Sequence, residues 1–103
     1  MLNKETKRYE PLLKLIPTGK ENGVSRRELS EKLGLDARSI SDLVLSARRD
    51  NIIIASGNRG YYFPADLKEE HEYYKRLHSM ALTILGTLTP VRRRLIEAGI
   101  KVK

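Results

Sequence analysis

The sequence contains no cysteine, which excludes a disulfide framework and any thiolate zinc site and is compatible with a reducing cytoplasm. It also lacks an apolar stretch near the ~20 residues that a bilayer span requires. Even the run at 80–85 is bounded by polar residues. Met1, Leu2, Asn3, Lys4 and Glu5 run into charge instead of an apolar leader, so no signal peptide is expected and the expected location is cytoplasmic. Low-complexity segments and internal repeats are absent, so no linker or repeat architecture is expected.

Catalytic hardware is equally scarce. The two histidines, His71 and His78, fall roughly 10.5 Å apart on a helix that rises about 1.5 Å per residue, too far to share one ion. His71 and Glu72 are followed by Lys75, where a zinc-protease helix needs a second histidine. There is no glycine-rich phosphate loop and no serine in a nucleophile elbow. Acid–base or nucleophilic chemistry would rest on Asp, Glu or Lys alone, and no such constellation occurs. No enzyme activity, metal or cofactor is expected.

What remains is a basic chain. At 103 residues it can bury one compact core, with an appended element. Lys and Arg outnumber Asp and Glu by 20 to 13, a net charge of +7, which suits a polyanionic partner such as nucleic acid. The excess is spread along the chain, +4 over 1–64 and +3 over 65–103, so no polybasic tail accounts for it.

Tyr9, Leu12, Leu13, Leu15 and Ile16 cluster at helical spacing ahead of Pro17, Thr18 and Gly19, predicting a first helix that Pro11 either begins or kinks. Ser25 and Glu28 form a capping box that opens a second helix, closed by Gly34 in a left-handed turn. Leu35 is expected to be a buried link and Asp36 the N-cap of a third helix. There Ile40, Leu43, Val44 and Ala47 form one apolar stripe. Ala37, Arg38, Ser41, Asp42 and Leu45 lie opposite, and Asp50 and Asn51 end the helix. The runs Ile52, Ile53, Ile54 and Tyr61, Tyr62, Phe63 flank Ser56, Gly57, Asn58, Arg59 and Gly60, which predicts a hairpin that must lean on the helices. Pro64 ends it, and Asp66 with Glu69 forms a second capping-box-like start of a long helix.

The order of these elements predicts a mainly α fold: a winged helix-turn-helix over 1–64, followed by a long, kinked or broken C-terminal helix over 65–103. Ser30, Gly34, Leu35, Ile40 and Leu43 stand at helix-turn-helix spacing. With Arg38 through Arg48, the isoleucine run and the segment from Ser56 to Tyr61, residues 24–63 resemble winged-helix domains of the biotin-repressor type and of small phage-encoded DNA-binding proteins. Ala47 departs from that pattern, which usually has a larger aliphatic there. So does the third helix, whose outer face carries only Arg38 and Arg49 as bases, with Asp36 and Asp42 between them.

A helix about 10–12 Å across fits the major groove, so residues on its outer face can reach base edges. Arg38 can pair bidentately with guanine, and Ser39 or Ser41 can contact a base or a phosphate. Asp42 can accept from cytosine or orient Arg38. Arg26 and Arg27, at the start of the second helix, can grip a phosphate together with backbone N–H groups. Arg59 at the hairpin tip, beside Asn58, can enter the minor groove or touch the backbone. The candidate DNA-binding set is therefore Arg26, Arg27, Ala37, Arg38, Ser39, Ser41, Asp42, Arg49, Asn58 and Arg59.

In the C-terminal segment Leu67, Tyr74, Ala81, Leu88 and Leu95 recur every seven residues, with Leu77, Ile84 and Val91 three places after members of that series. This heptad marks Tyr74, Leu77, Ala81, Ile84 and Leu88 as a dimerisation seam, or as a stripe that packs back on its own chain. Gly86, Thr89 and Pro90 predict a break or kink at 86–90. Arg92, Arg93 and Arg94 can reach a phosphate or keep the tail soluble. The resemblance implies an appended helix of this kind.

Two functions from different classes follow. One is a sequence-specific double-stranded DNA-binding regulator of phage or mobile-element origin, acting as a homodimer in transcription, replication or recombination. The other is a protein-interaction module that uses the same scaffold to bind a host or phage protein, because fold does not fix function.

Overall fold

The computed structural model describes residues 7–102, so the charged opening at 1–5 lies outside it. In chain order the elements are α1 (Glu10–Leu13), a 3-10 turn (Lys20–Asn22), α2 (Arg26–Leu33), α3 (Ala37–Arg49), β1 (Ala55–Gly57), β2 (Gly60–Tyr62) and α4 (Leu67–Glu97). This is the expected fold class: mainly α, with a helix-turn-helix, a small antiparallel hairpin and a long C-terminal helix. The chain divides into two compact units, Met1–Glu70 and His71–Lys103. The division falls six residues after the expected boundary at 64/65.

The local hydrogen bonds explain where the helices start and stop. Glu28 N donates to Ser25 Oγ at 3.0 Å and Ser25 N to Glu28 Oε1 at 3.4 Å, which closes the capping box of α2. Gly34 ends α2 at φ 67°, in the left-handed region open to a residue without Cβ. Asp36 caps α3 by accepting from Ser39 N at 2.8 Å. Hydrogen bonds from the Ser39 hydroxyl and backbone hold its carboxyl below the usual carboxylate range. Asn51 ends α3 at φ 68°.

The first unit's core gathers Leu12, Leu29, Ile40, Val44, Ala47 and Ile54, each 0–1% exposed. Tyr9, Ile16, Val24 and Leu43 complete it. The stripe on α3 therefore faces inward as its 3.6-residue spacing requires. Leu35 does not join it. At 39% exposed it corrects the expectation of a buried link. The turn is held by backbone instead: Leu35 N donates to Ser30 O at 3.1 Å, and the Ser30 hydroxyl donates to Leu35 O.

The first helix is a single turn. Pro11 sits within its first turn, where no N–H donor is needed. Leu15 N and Ile16 N bond three residues back, to Leu12 and Leu13. Pro17 then disfavours helical geometry at Ile16. Tyr9 fastens this segment to the end of α3 by donating its hydroxyl to Asp50 Oδ2. That hydrogen bond first, then burial, pushes the phenol pKa up to about 12 from 10.0. Because the folded pKa is the higher one, the stability it contributes is complete below pH 10 and is lost as pH rises to 12. Urea unfolding across pH 9–12 is expected to show that loss in the native protein, and the Tyr9→Phe variant to lack the same component. Parallel pH profiles for the two would remove the anchor from Tyr9.

The hairpin lies further toward its tip than expected. The ladder pairs Ala55 with Tyr62, Ser56 with Tyr61 and Gly57 with Gly60, while Ile52, Ile53 and Ile54 are not strand. Two of the isoleucines' backbone groups are engaged elsewhere: Ile52 N donates back to Ala47 O at 3.1 Å. The Arg48 guanidinium donates to Ile54 O at 3.0 and 2.7 Å. β2 gains its support on its other edge. Val24 N to Tyr61 O at 2.9 Å and Tyr61 N to Val24 O at 2.8 Å make an antiparallel bridge, and Phe63 N bonds Pro17 O at 2.8 Å.

α4 starts at the Asp66 cap, whose Oδ1 accepts from Glu69 N at 2.9 Å. The Glu69 carboxylate does not return to Asp66. It accepts from Ala65 N at 3.0 Å and from Lys20 N at 3.1 Å, which holds the start of α4 to the 3-10 turn. The helix is continuous through Pro90, so the disturbance expected at 86–90 stops short of a break. The cost is one backbone bond, since Pro90 cannot donate to the carbonyl four residues back.

Candidate nucleic-acid interface

The N-terminus of α2, the outer face of α3 and the hairpin tip belong to the same compact unit. Arg26 and Arg27 occupy the first turn of α2, where orphan N–H groups and the helix dipole favour an anion. Arg26 Nη1 donates to Ser41 Oγ at 3.1 Å, tying this turn to the outer face of α3. Arg27 pairs with Glu31 at 3.4 Å, both side chains well exposed, a surface pair of little energetic weight.

On α3, Ala37, Arg38, Asp42, Leu45 and Arg49 are exposed and Ser41 is half-buried. They fall on the face opposite the buried Ile40, Leu43, Val44 and Ala47. Among the described residues no ion pair joins Arg38 to Asp42, so the option in which Asp42 orients Arg38 is not realised. Ser39 departs from this group. It lies on the flank, in a cleft shared with Arg8, Leu35, Asp42 and Ser46, and its backbone serves the Asp36 cap. Leu45, 46% exposed, puts an apolar side chain on the outer face.

Asn58 and Arg59 are the exposed two-residue loop between β1 and β2. A groove between this hairpin and the start of α2 is lined by Ser25, Arg26, Arg48, Ser56, Asn58 and Arg59, among others. A second cleft joins Lys20 and Glu21 to Asn58 and Arg59. Three arginines thus line one groove and a lysine sits beside its outer end. The arrangement brings together Arg26, Asn58 and Arg59 from the predicted set, and adds Arg48 and Lys20. The position of Lys20, just after Gly19 in a polar turn, carries no local signal for this. Its neighbour in space is nearly forty residues away along the chain.

Arg48 has a defined structural task. Besides its two bonds to Ile54 O, its guanidinium stands 5.9 Å from the Tyr61 ring centroid, in cation–π range. It clamps the hairpin to the end of α3. Arg48→Met keeps the stem and removes both donors, leaving Ile54 O unpaired. We expect a loss of about 1.5–3 kcal/mol in denaturant unfolding, with hairpin amides exchanging fastest. An unchanged midpoint would deny Arg48 that task.

The described residues hold no group of three or more His, Cys, Asp or Glu placed to bind a metal. His71 and His78 flank the Tyr74 ring, with centroids 6.4 and 5.8 Å away and nearly parallel planes. No helix among the described residues is long and apolar enough to cross a membrane. Comparison of the chain with models of known families, with curated proteins and with solved structures finds no match.

Proposed function

We propose that this protein is a sequence-specific double-stranded DNA-binding regulator that works in the cytoplasm as a homodimer joined through α4. The observation that carries the reading is the groove of Arg26, Arg48 and Arg59, which lies beside a helix whose exposed face holds Arg38, Ser41, Asp42 and Arg49. In this reading α3 enters the major groove and reads base edges. The first turn of α2 and the wing residues Asn58 and Arg59 hold the phosphates. A net charge of +7 supplies the long-range attraction. The transcriptional or replicative role, and an origin in a phage or mobile element, rest on the resemblance of residues 24–63 alone.

An electrophoretic shift with pools of random duplexes tests this. A complex should form at low salt and weaken with a log–log slope of about −0.9 per phosphate neutralised. From the bound pool, Arg38→Ala should relax base preference at one position, at a cost of about 1–3 kcal/mol, while Arg59→Ala weakens all sites alike. No complex with any duplex would end the DNA reading. One observation favours the alternative, a protein-interaction module: Leu35 and Leu45 are exposed on or beside the same face, at 39% and 46%, where a protein partner could bury them.

A further inference from the structure

We propose that α4 pairs with α4 of a second copy in antiparallel direction, in a register centred between Leu82 and Thr83. The proposal rests on the dimer assigned above and adds its direction. In the single chain Tyr74, Leu77, Ile84, Leu88 and Val91 stand 44–65% exposed. Residues 77–91 carry no Asp, Glu, Lys or Arg. The hydroxyls of Thr83, Thr87 and Thr89 donate to the carbonyls of Ser79, Thr83 and Leu85 at 3.1, 3.2 and 3.0 Å, so their polarity is satisfied within the helix. A helix with so little polarity over four turns is a surface to be covered.

Side-chain volume points to the direction. In a parallel pair each seam residue meets its own copy: Ala81 faces Ala81 and leaves a gap, while Tyr74 faces Tyr74 and crowds. In the antiparallel register Ala81 meets Ile84, Leu77 meets Leu88 and Tyr74 meets Val91 of the second copy. Small then faces large, or like size faces like, in every layer, which is how a dense core is filled.

Charge gives the same answer independently. At one end of α4, Glu69, Glu70 and Glu72 are balanced by Lys68, Lys75 and Arg76. The other end carries Arg92, Arg93 and Arg94. Parallel pairing sets six arginines together. Antiparallel pairing separates the two arginine clusters and sets each beside the charge-balanced end of the second copy, and it also opposes the two helix dipoles favourably.

The absence of cysteine allows one spin label per chain. Lys68→Cys and Ser79→Cys lie off the seam, so labels there leave the layers intact. At about 1.5 Å per residue, the antiparallel register predicts inter-label distances of roughly 45 Å at position 68 and under about 20 Å at position 79. Short and similar distances at both positions, as a parallel pair gives, overturn the proposal and leave the dimer standing. A single-chain mass by light scattering at the labelling concentration overturns the dimer and its direction together.

Discussion

Replacing Gly60 by alanine is expected to lower the melting temperature by at least ~8 °C and to abolish the proposed DNA binding. Gly60 has φ +111°, a conformation that a Cβ disfavours by roughly 1–2 kcal/mol. The added carbon would overlap the Val24 carbonyl oxygen and stand 2.5 Å from its carbon and 2.8 Å from Ser25 N. All three are backbone atoms, so no side chain can swing away. The segment that must yield is the one that pairs with Tyr61 through bonds of 2.8 and 2.9 Å, each worth about 0.5–1.5 kcal/mol net. Adding strain to two lost bonds gives about 2–5 kcal/mol, a large part of the ~5–15 kcal/mol by which a domain is stable. At about 4–8 °C per kcal/mol for a domain of this size, the melting shift follows. The same event frees the wing from Val24, so the groove lined by Arg26 and Arg59 loses its geometry. Gly34 is the control: it also has positive φ, at +67°, but nothing lies within 4 Å of an added Cβ. Gly34→Ala should therefore cost only the backbone strain, about 1–2 kcal/mol. Calorimetry that finds Gly60→Ala as stable as Gly34→Ala would refute the close approach of Gly60 to Val24.

The contrast between these glycines marks where sequence reasoning reaches and where it stops. Gly34, Ser25 with Glu28, Asp36 and Asn51 were legible because each acts within about one helical turn of itself. The buried stripe of α3 was legible because periodicity alone sets which face goes inward. The ladder was not, because Ile54 O is taken by Arg48 and Tyr61 by Val24, residues that pattern reading has no means of pairing. Glu69 had the right residue type for a capping box, but its carboxylate serves Lys20, 49 positions away in the chain. The candidate interface divides in the same way. Arg59 at a turn and Arg26 at a helix start are visible from local signals. The Arg26 to Ser41 bond, the sideways placement of Ser39, and the share taken by Arg48 and Lys20 in the groove all depend on tertiary packing.

Changing Leu77 and Ile84 together to lysine is expected to convert the protein to a folded monomer. Both residues lie on the heptad seam, and both are exposed in the single chain, at 44% and 65%. Neither belongs to the core cluster, which is drawn from residues between Tyr9 and Phe63. The double variant should therefore keep the melting transition of the first unit. In a dimer the same two positions would be buried, where each aliphatic side chain contributes roughly 1.5–3 kcal/mol and a lysine must carry its charge into an apolar layer. In the antiparallel register Leu77 meets Leu88 and Ile84 meets Ala81, so the four substituted side chains of a dimer disturb four layers. Association of two chains has only a modest surplus over its entropy cost, and this loss exceeds it. Light scattering should show the single-chain mass at concentrations where the native protein is a dimer, with no change in far-ultraviolet signal from the first unit. Operator binding should fall as well, since one winged helix covers a short half-site and two held together read a palindrome. If the double variant instead loses its cooperative melting transition, the seam is part of the fold of one chain and the dimer assignment is wrong.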